Sequence, residues 1–113
     1  MGPALPEIRS LSTSPDTARL ALAVPAELRY FTGHFPGLPI LPGVVQLHWA
    51  IVFAARHLGV SSGIERVTAL KFNRILQPGA EVTLVLERVP DGFGFRFENE
   101  AGACSSGRFA CVQ

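Results

Sequence analysis

Pro42-Gly43-Val44-Val45-Gln46-Leu47-His48-Trp49-Ala50-Ile51-Val52-Phe53-Ala54-Ala55-Arg56-His57-Leu58-Gly59 reads as a single helix, and its composition decides the fold. Pro42 suits a helix entrance, and Gly59 supplies a stop after Leu58. Between Val44 and Leu58 eleven of fifteen residues are apolar, so apolar side chains surround the cylinder rather than line one stripe. A helix of that kind must be covered on nearly all sides, which predicts a central helix wrapped by a curved sheet.

Downstream of the helix only strand signals follow. Ile64 to Phe72 is one run, ended by a Gln77-Pro78-Gly79 turn. Val82, Leu84 and Leu86 alternate with Glu81, Thr83 and Glu87, then Phe93, Phe95 and Phe97 alternate with Gly94, Arg96 and Glu98. The period is two in both runs. A turn over Asn99 to Gly102 leads to a last strand, Ala103 to Val112. Upstream, Ala18 to Val24 reads as a strand closed by Pro25, and Ala26 to Phe31 as a single turn. Residues 1–15 are expected to be an irregular lead-in that holds a short strand around Ile8. One helix followed by a run of strands predicts an α+β fold with an antiparallel sheet.

At 113 residues the chain is expected to be one domain, 1–113. Its hydrophobic fraction of 48% against 17% charged residues is high for a small domain and predicts a subunit interface. A net charge of +1 lacks the basic footprint of nucleic-acid binding. No apolar run approaches the roughly 20 residues of a spanning helix, and the N-terminal residues do not resemble a secretion signal. A cytoplasmic location is expected. Cys104 and Cys111, seven apart in one strand, are predicted on opposite faces as buried, unbridged thiols.

The segment before the helix, Gly33-His34-Phe35-Pro36-Gly37-Leu38-Pro39-Ile40-Leu41-Pro42-Gly43, carries the chemistry. Three prolines bar it from helix or central strand and limit its flexing, which suits a fixed imidazole at His34. Gly43 stands where the first helical N–H groups lack intrahelical partners and the dipole is positive. A thioester carbonyl oxygen placed there would have its developing enolate charge stabilised. An imidazole, with an ordinary pKa of about 6.5, is matched to removing the adjacent proton at neutral pH. The plainer alternative for His34 is a histidine bonded to a nearby carbonyl.

Gly33-His34-Phe35-Pro36-Gly37-x-Pro39-x-x-Pro42-Gly43-Val44 resembles the signature of the beta-hydroxyacyl-acyl-carrier-protein dehydratases. Lys71-Phe72-x-Arg74 and Pro78-Gly79 are similar to that family's downstream strand and turn. The resemblance implies a hotdog fold, a homodimer with active sites at its interface, no cofactor, and dehydration of 3-hydroxyacyl groups on an acyl carrier protein. It places the catalytic histidine at His34 and the polarising amide at Gly43. The carbonyl that steadies the histidine falls at Ile40, with Phe35 and Val44 beside the substrate. Val44 to Ala50 is closest to the ApeI-like branch of aryl polyene pathways.

The chain departs from that pattern at one position. The family carries Asp or Glu fourteen residues after the histidine, where this chain has His48, and no acid occurs between Glu27 and Glu65. Three readings stay open: His48 as imidazolium acid in dehydration, a site turned to thioester hydrolysis, or loss of catalysis leaving an acyl-carrier-binding subunit. A metal site is disfavoured, because His34 and His48 lack a third ligand. His57, nine residues beyond His48 on the opposite half of the helix, is expected at the surface.

Trp49, Phe53 and Leu47 are read as core before acyl tunnel, and the Phe93-Phe95-Phe97 stripe as the sheet face packed on the helix before an acyl wall or a subunit interface. Arg66, Lys71, Arg74 and Arg88 are candidates for an acidic carrier or a coenzyme A phosphate.

Overall fold

The computed structural model describes residues 5–25 and 40–112. The expected turn at 26–31 and the loop through 39, with His34 and Phe35, lie outside them. The elements are β1 (Glu7–Thr13), β2 (Thr17–Ala23), α1 (Gly43–Leu58), β3 (Ile64–Phe72), β4 (Glu81–Val89), β5 (Gly92–Asn99) and β6 (Gly102–Cys111). All pairings are antiparallel in one sheet ordered β1-β2-β4-β5-β6-β3. This is the hotdog arrangement of one long helix against a curved six-stranded sheet.

Burial explains the order. Ala18, Leu20 and Leu22 of β2, Val82, Leu84 and Leu86 of β4, and Phe93, Phe95 and Phe97 of β5 form one face of the sheet. That face meets Val45, Trp49, Ala50, Phe53, Ala54 and Leu58 of α1 in a single cluster. The phenylalanine stripe is therefore core. Phe93 and Phe109 stack at 4.8 Å, and Phe95 lies 5.5 Å from Phe109. Gly59 ends the helix with φ 69, in the left-handed region that favours glycine.

Three expectations need correction. The strand expected around Ile8 is present but longer than read, so the lead-in is not irregular throughout: β1 runs for seven residues, hairpinned to β2. Its signal is hidden because every residue of this edge strand is exposed and a bulge between Ile8 and Ser10 breaks the period. Cys104 and Cys111 are not segregated to opposite faces; both are buried in the one core. The register slips where Phe97 pairs with Ser105 but Glu98 pairs with Ala103, which leaves Cys104 as an extra, inward-lying residue. Both thiols are free, and burial pushes each pKa above its ordinary value. His57 is half-buried rather than exposed. Its Nε2 is buried without a hydrogen-bond partner among the described residues, and its ring stacks on Phe53 at 6.1 Å.

Candidate functional site

Gly43 begins α1 behind Pro42, whose φ of −58 and ψ of 145 turn the chain into the helix. Among the described residues no side chain caps this end, and no acidic residue stands in its first turn. Within the helix itself, the positive end of the dipole is therefore not neutralised by an acidic side chain. Pro42 O accepts from Val45 N at 3.1 Å and from Gln46 N at 3.2 Å. Because the peptide is planar and trans, Gly43 N–H points the opposite way, out of the helix.

Space rather than backbone conformation makes position 43 a glycine. A Cβ there would lie 2.7 Å from Phe72 Cζ. The Phe72 ring, 48% exposed, therefore roofs the helix start from the end of β3. Beside it Val44 is 72% exposed, an unusual state for a valine at a helix entrance.

His48 lies on the same side of α1, at spacings of three and four from Val44, Ile51 and Val52. Among these, Val44 is exposed and His48, Ile51 and Val52 are half-buried, whereas the opposite side of the helix is buried against the sheet. The neighbouring edge is also bare. β3 is exposed along nearly its whole length, with Val67, Leu70 and Phe72 uncovered and Ile75 just beyond. An apolar helix face and an apolar sheet edge thus adjoin around Gly43.

Of the residues singled out from the sequence, the structure brings Ile40, Gly43 and Val44 together at the helix start and puts His48 farther along the open face. Three further residues were missed. Gln46 is buried, donates from Nε2 to Leu41 O at 3.2 Å, and accepts at Oε1 from Ser105 Oγ at 2.7 Å. Phe72 covers Gly43 across a long sequence separation. A lone glutamine within an apolar helix was the available signal for the first; the other two depend on pairing that local pattern does not carry.

Trp49 and Phe53 are fully buried core. Among the basic candidates, Arg66 pairs with Asp91 at 3.8 Å. Arg88 pairs with Asp16 at 3.4 Å and donates to Leu58 O at the end of α1. Both have structural partners, while Lys71 and Arg74 are exposed at the end of β3 and just past it. Among the described residues there is no group of three or more His, Cys, Asp and Glu side chains able to hold a metal ion, and no helix is long and apolar enough to cross a membrane. A depression of about 800 Å³ lies between Arg9, Arg19, Glu81 and Glu98, away from the helix start.

Comparison with known proteins agrees with this geometry. The model of the ApeI-like family, described as ApeI dehydratase, matches residues 10–108. The 3-hydroxyacyl-acyl-carrier-protein dehydratase FabZ of Chloroflexus aggregans is 33% identical over 78% of this chain, and that of Latilactobacillus sakei is 33% identical over 73%. The matches span 65% and 63% of those relatives' lengths. Among solved structures, the dehydratase heterocomplex ApeI:P from Xenorhabdus doucetiae superposes with a TM-score of 0.87 at 27% identity, covering 96% of this chain and all of that one.

Proposed function

The chain belongs to the ApeI-like family, and from that premise we propose that it dehydrates 3-hydroxyacyl thioesters on an acyl carrier protein to trans-2-enoyl thioesters, in fatty-acid or aryl-polyene-like biosynthesis within the cytoplasm. One observation carries the reading: the uncapped helix start at Gly43, kept free of a side chain and roofed by Phe72. A thioester oxygen there meets an outward N–H and the positive end of α1.

The chemistry then divides between two histidines. His34 removes a proton from the carbon next to the carbonyl, and the electron pair moves toward the oxygen held at Gly43. The pair returns to form the double bond as the hydroxyl on the next carbon leaves. A proton from His48 converts it to water. Ile40 supplies the carbonyl that orients His34, while Phe35 and Val44 flank the acyl group. No cofactor takes part.

The open helix face and β3 edge favour a second subunit over this site. Symmetric pairing with another copy covers both apolar surfaces at once, so we propose a homodimer whose sites combine His34 of one copy with His48 of the other. The heterocomplex among the solved relatives and the lack of Asp or Glu on α1 favour one second reading, in which a different dehydratase-fold subunit supplies a carboxylate.

The test is to incubate the purified protein with a 3-hydroxyacyl-carrier protein and follow enoyl product and free thiol together. Enoyl product without thiol release is expected. Thiol release would instead make it a thioesterase, and neither product would leave an acyl-carrier-binding subunit.

A further inference from the structure

Gln46 is 3% exposed and Ser105 0%, yet both are polar. A buried amide and hydroxyl persist only when fully hydrogen-bonded, so their arrangement indicates what they hold. Leu41 O can only accept, which assigns the carboxamide nitrogen of Gln46 to it and leaves Oε1 for the Ser105 hydroxyl.

Gln46 therefore binds two consecutive carbonyls. Its main-chain N–H reaches Pro42 O and its side chain reaches Leu41 O. The first bond helps fix the peptide that ends in Gly43 N–H, and the second fixes the peptide before it. Between them, the pyrrolidine ring holds φ of Pro42. Leu41 N donates in turn to Leu76 O at 2.7 Å, which orients the peptide bearing the Ile40 carbonyl.

The far end of the chain of bonds is equally tied. Cys104, next to Ser105, presents its carbonyl to Asn73 N at 2.8 Å and Arg74 N at 3.1 Å. Those residues follow Phe72, the roof over Gly43. Strand β6, the end of β3 and the helix entrance are thus joined through Gln46 and Ser105.

We propose that Gln46, held by Ser105, is a positioning residue that aims the Gly43 N–H at the substrate oxygen. The proposal rests on the dehydratase reading for its catalytic consequence, but the aim of the N–H can be measured without it. A donor displaced from the developing oxyanion loses transition-state stabilisation more than ground-state binding. Gln46→Met keeps the volume and removes both side-chain bonds. In this variant kcat is expected to fall about tenfold or more with KM within about twofold.

The experiment pairs that assay with the ¹⁵N–¹H signal and exchange rate of the Gly43 amide in the full chain. The expected result is a shifted signal and faster exchange at Gly43, with amides of the β1–β2 hairpin unchanged. Ser105→Ala should act in the same direction more weakly, and its effect should not add to that of Gln46→Met. It also serves if Gln46→Met fails to fold. An unchanged Gly43 amide overturns the proposal whatever the activity, and so does a changed amide with full kcat. If the unaltered protein forms no enoyl product, the dehydratase reading falls, and with it the catalytic role of Gln46.

Discussion

The two sides of α1 follow opposite rules. Toward β2, β4, β5 and β6, large apolar side chains are buried in one cluster, and the buried polar pair Gln46 and Ser105 is hydrogen-bonded. Toward β3, apolar residues stand exposed, the helix entrance is uncapped, and a histidine interrupts the surface. The first side folds the chain. The second is open in one chain, and the proposed homodimer would close it over the proposed chemistry.

The contrast can be broken most severely on the closed side. Phe97→Ala removes a fully buried ring and should cost about 3–5 kcal/mol, read as a large drop in the urea midpoint. Unfolding unchanged within about 1 kcal/mol would show that the core is not where stability resides. On the open side, Gly43→Ala should spare stability and damage turnover. The new methyl pushes Phe72 aside and blocks the oxygen's approach, so kcat/KM for enoyl formation is expected to fall about tenfold to a hundredfold. Full activity in that variant would remove Gly43 from the site.

Val67→Lys tests the bare edge. A lysine in this exposed strand should keep the chain folded while shifting the sedimentation of the proposed homodimer toward monomer at micromolar concentration. An unaltered dimer would place the interface elsewhere.

Two smaller effects sharpen the picture. Ala69 has φ 55 in the bulge of β3 where Thr68 and Lys71 bracket a register shift. Ala69→Gly should therefore stabilise by up to about 1 kcal/mol, as left-handed backbone costs an L-residue more than glycine. Glu98, paired with Arg96 at 2.8 Å and Arg19 at 3.1 Å, is the smallest case. The hydrogen bond from Arg96, with the charges of both arginines, holds its carboxyl below the ordinary value of 4.5 despite some burial. Its folded pKa is depressed, so its contribution is full above that ordinary value and fades as pH falls through the folded pKa. Glu98→Gln should cost about 0.2–1 kcal/mol at neutral pH and nothing in strong acid, measured by thermal melts across pH.

The same contrast explains what was legible in the sequence. Strands β4 and β5 are half-buried, so alternation at Val82-Leu84-Leu86 and Phe93-Phe95-Phe97 marks them plainly. β1 is exposed on both faces and carries no such mark. The helix and its Gly59 stop follow from local chemistry, and so does Gly43 as an oxyanion donor candidate. Phe72 above Gly43, Ser105 against Gln46 and the inward Cys104 arise from strand register and a bulge, which only the assembled sheet specifies. His57 was misplaced because helical spacing gives a direction but not what packs there.

The most direct test of the central claim is to co-produce His34→Ala and His48→Ala chains, each inactive alone. If one copy's His34 works with the other's His48, mixed dimers hold one intact site, and a random mixture should recover about a quarter of the original enoyl-forming activity. No recovery, or full activity in the His48→Ala chain by itself, would contradict a site shared between two copies.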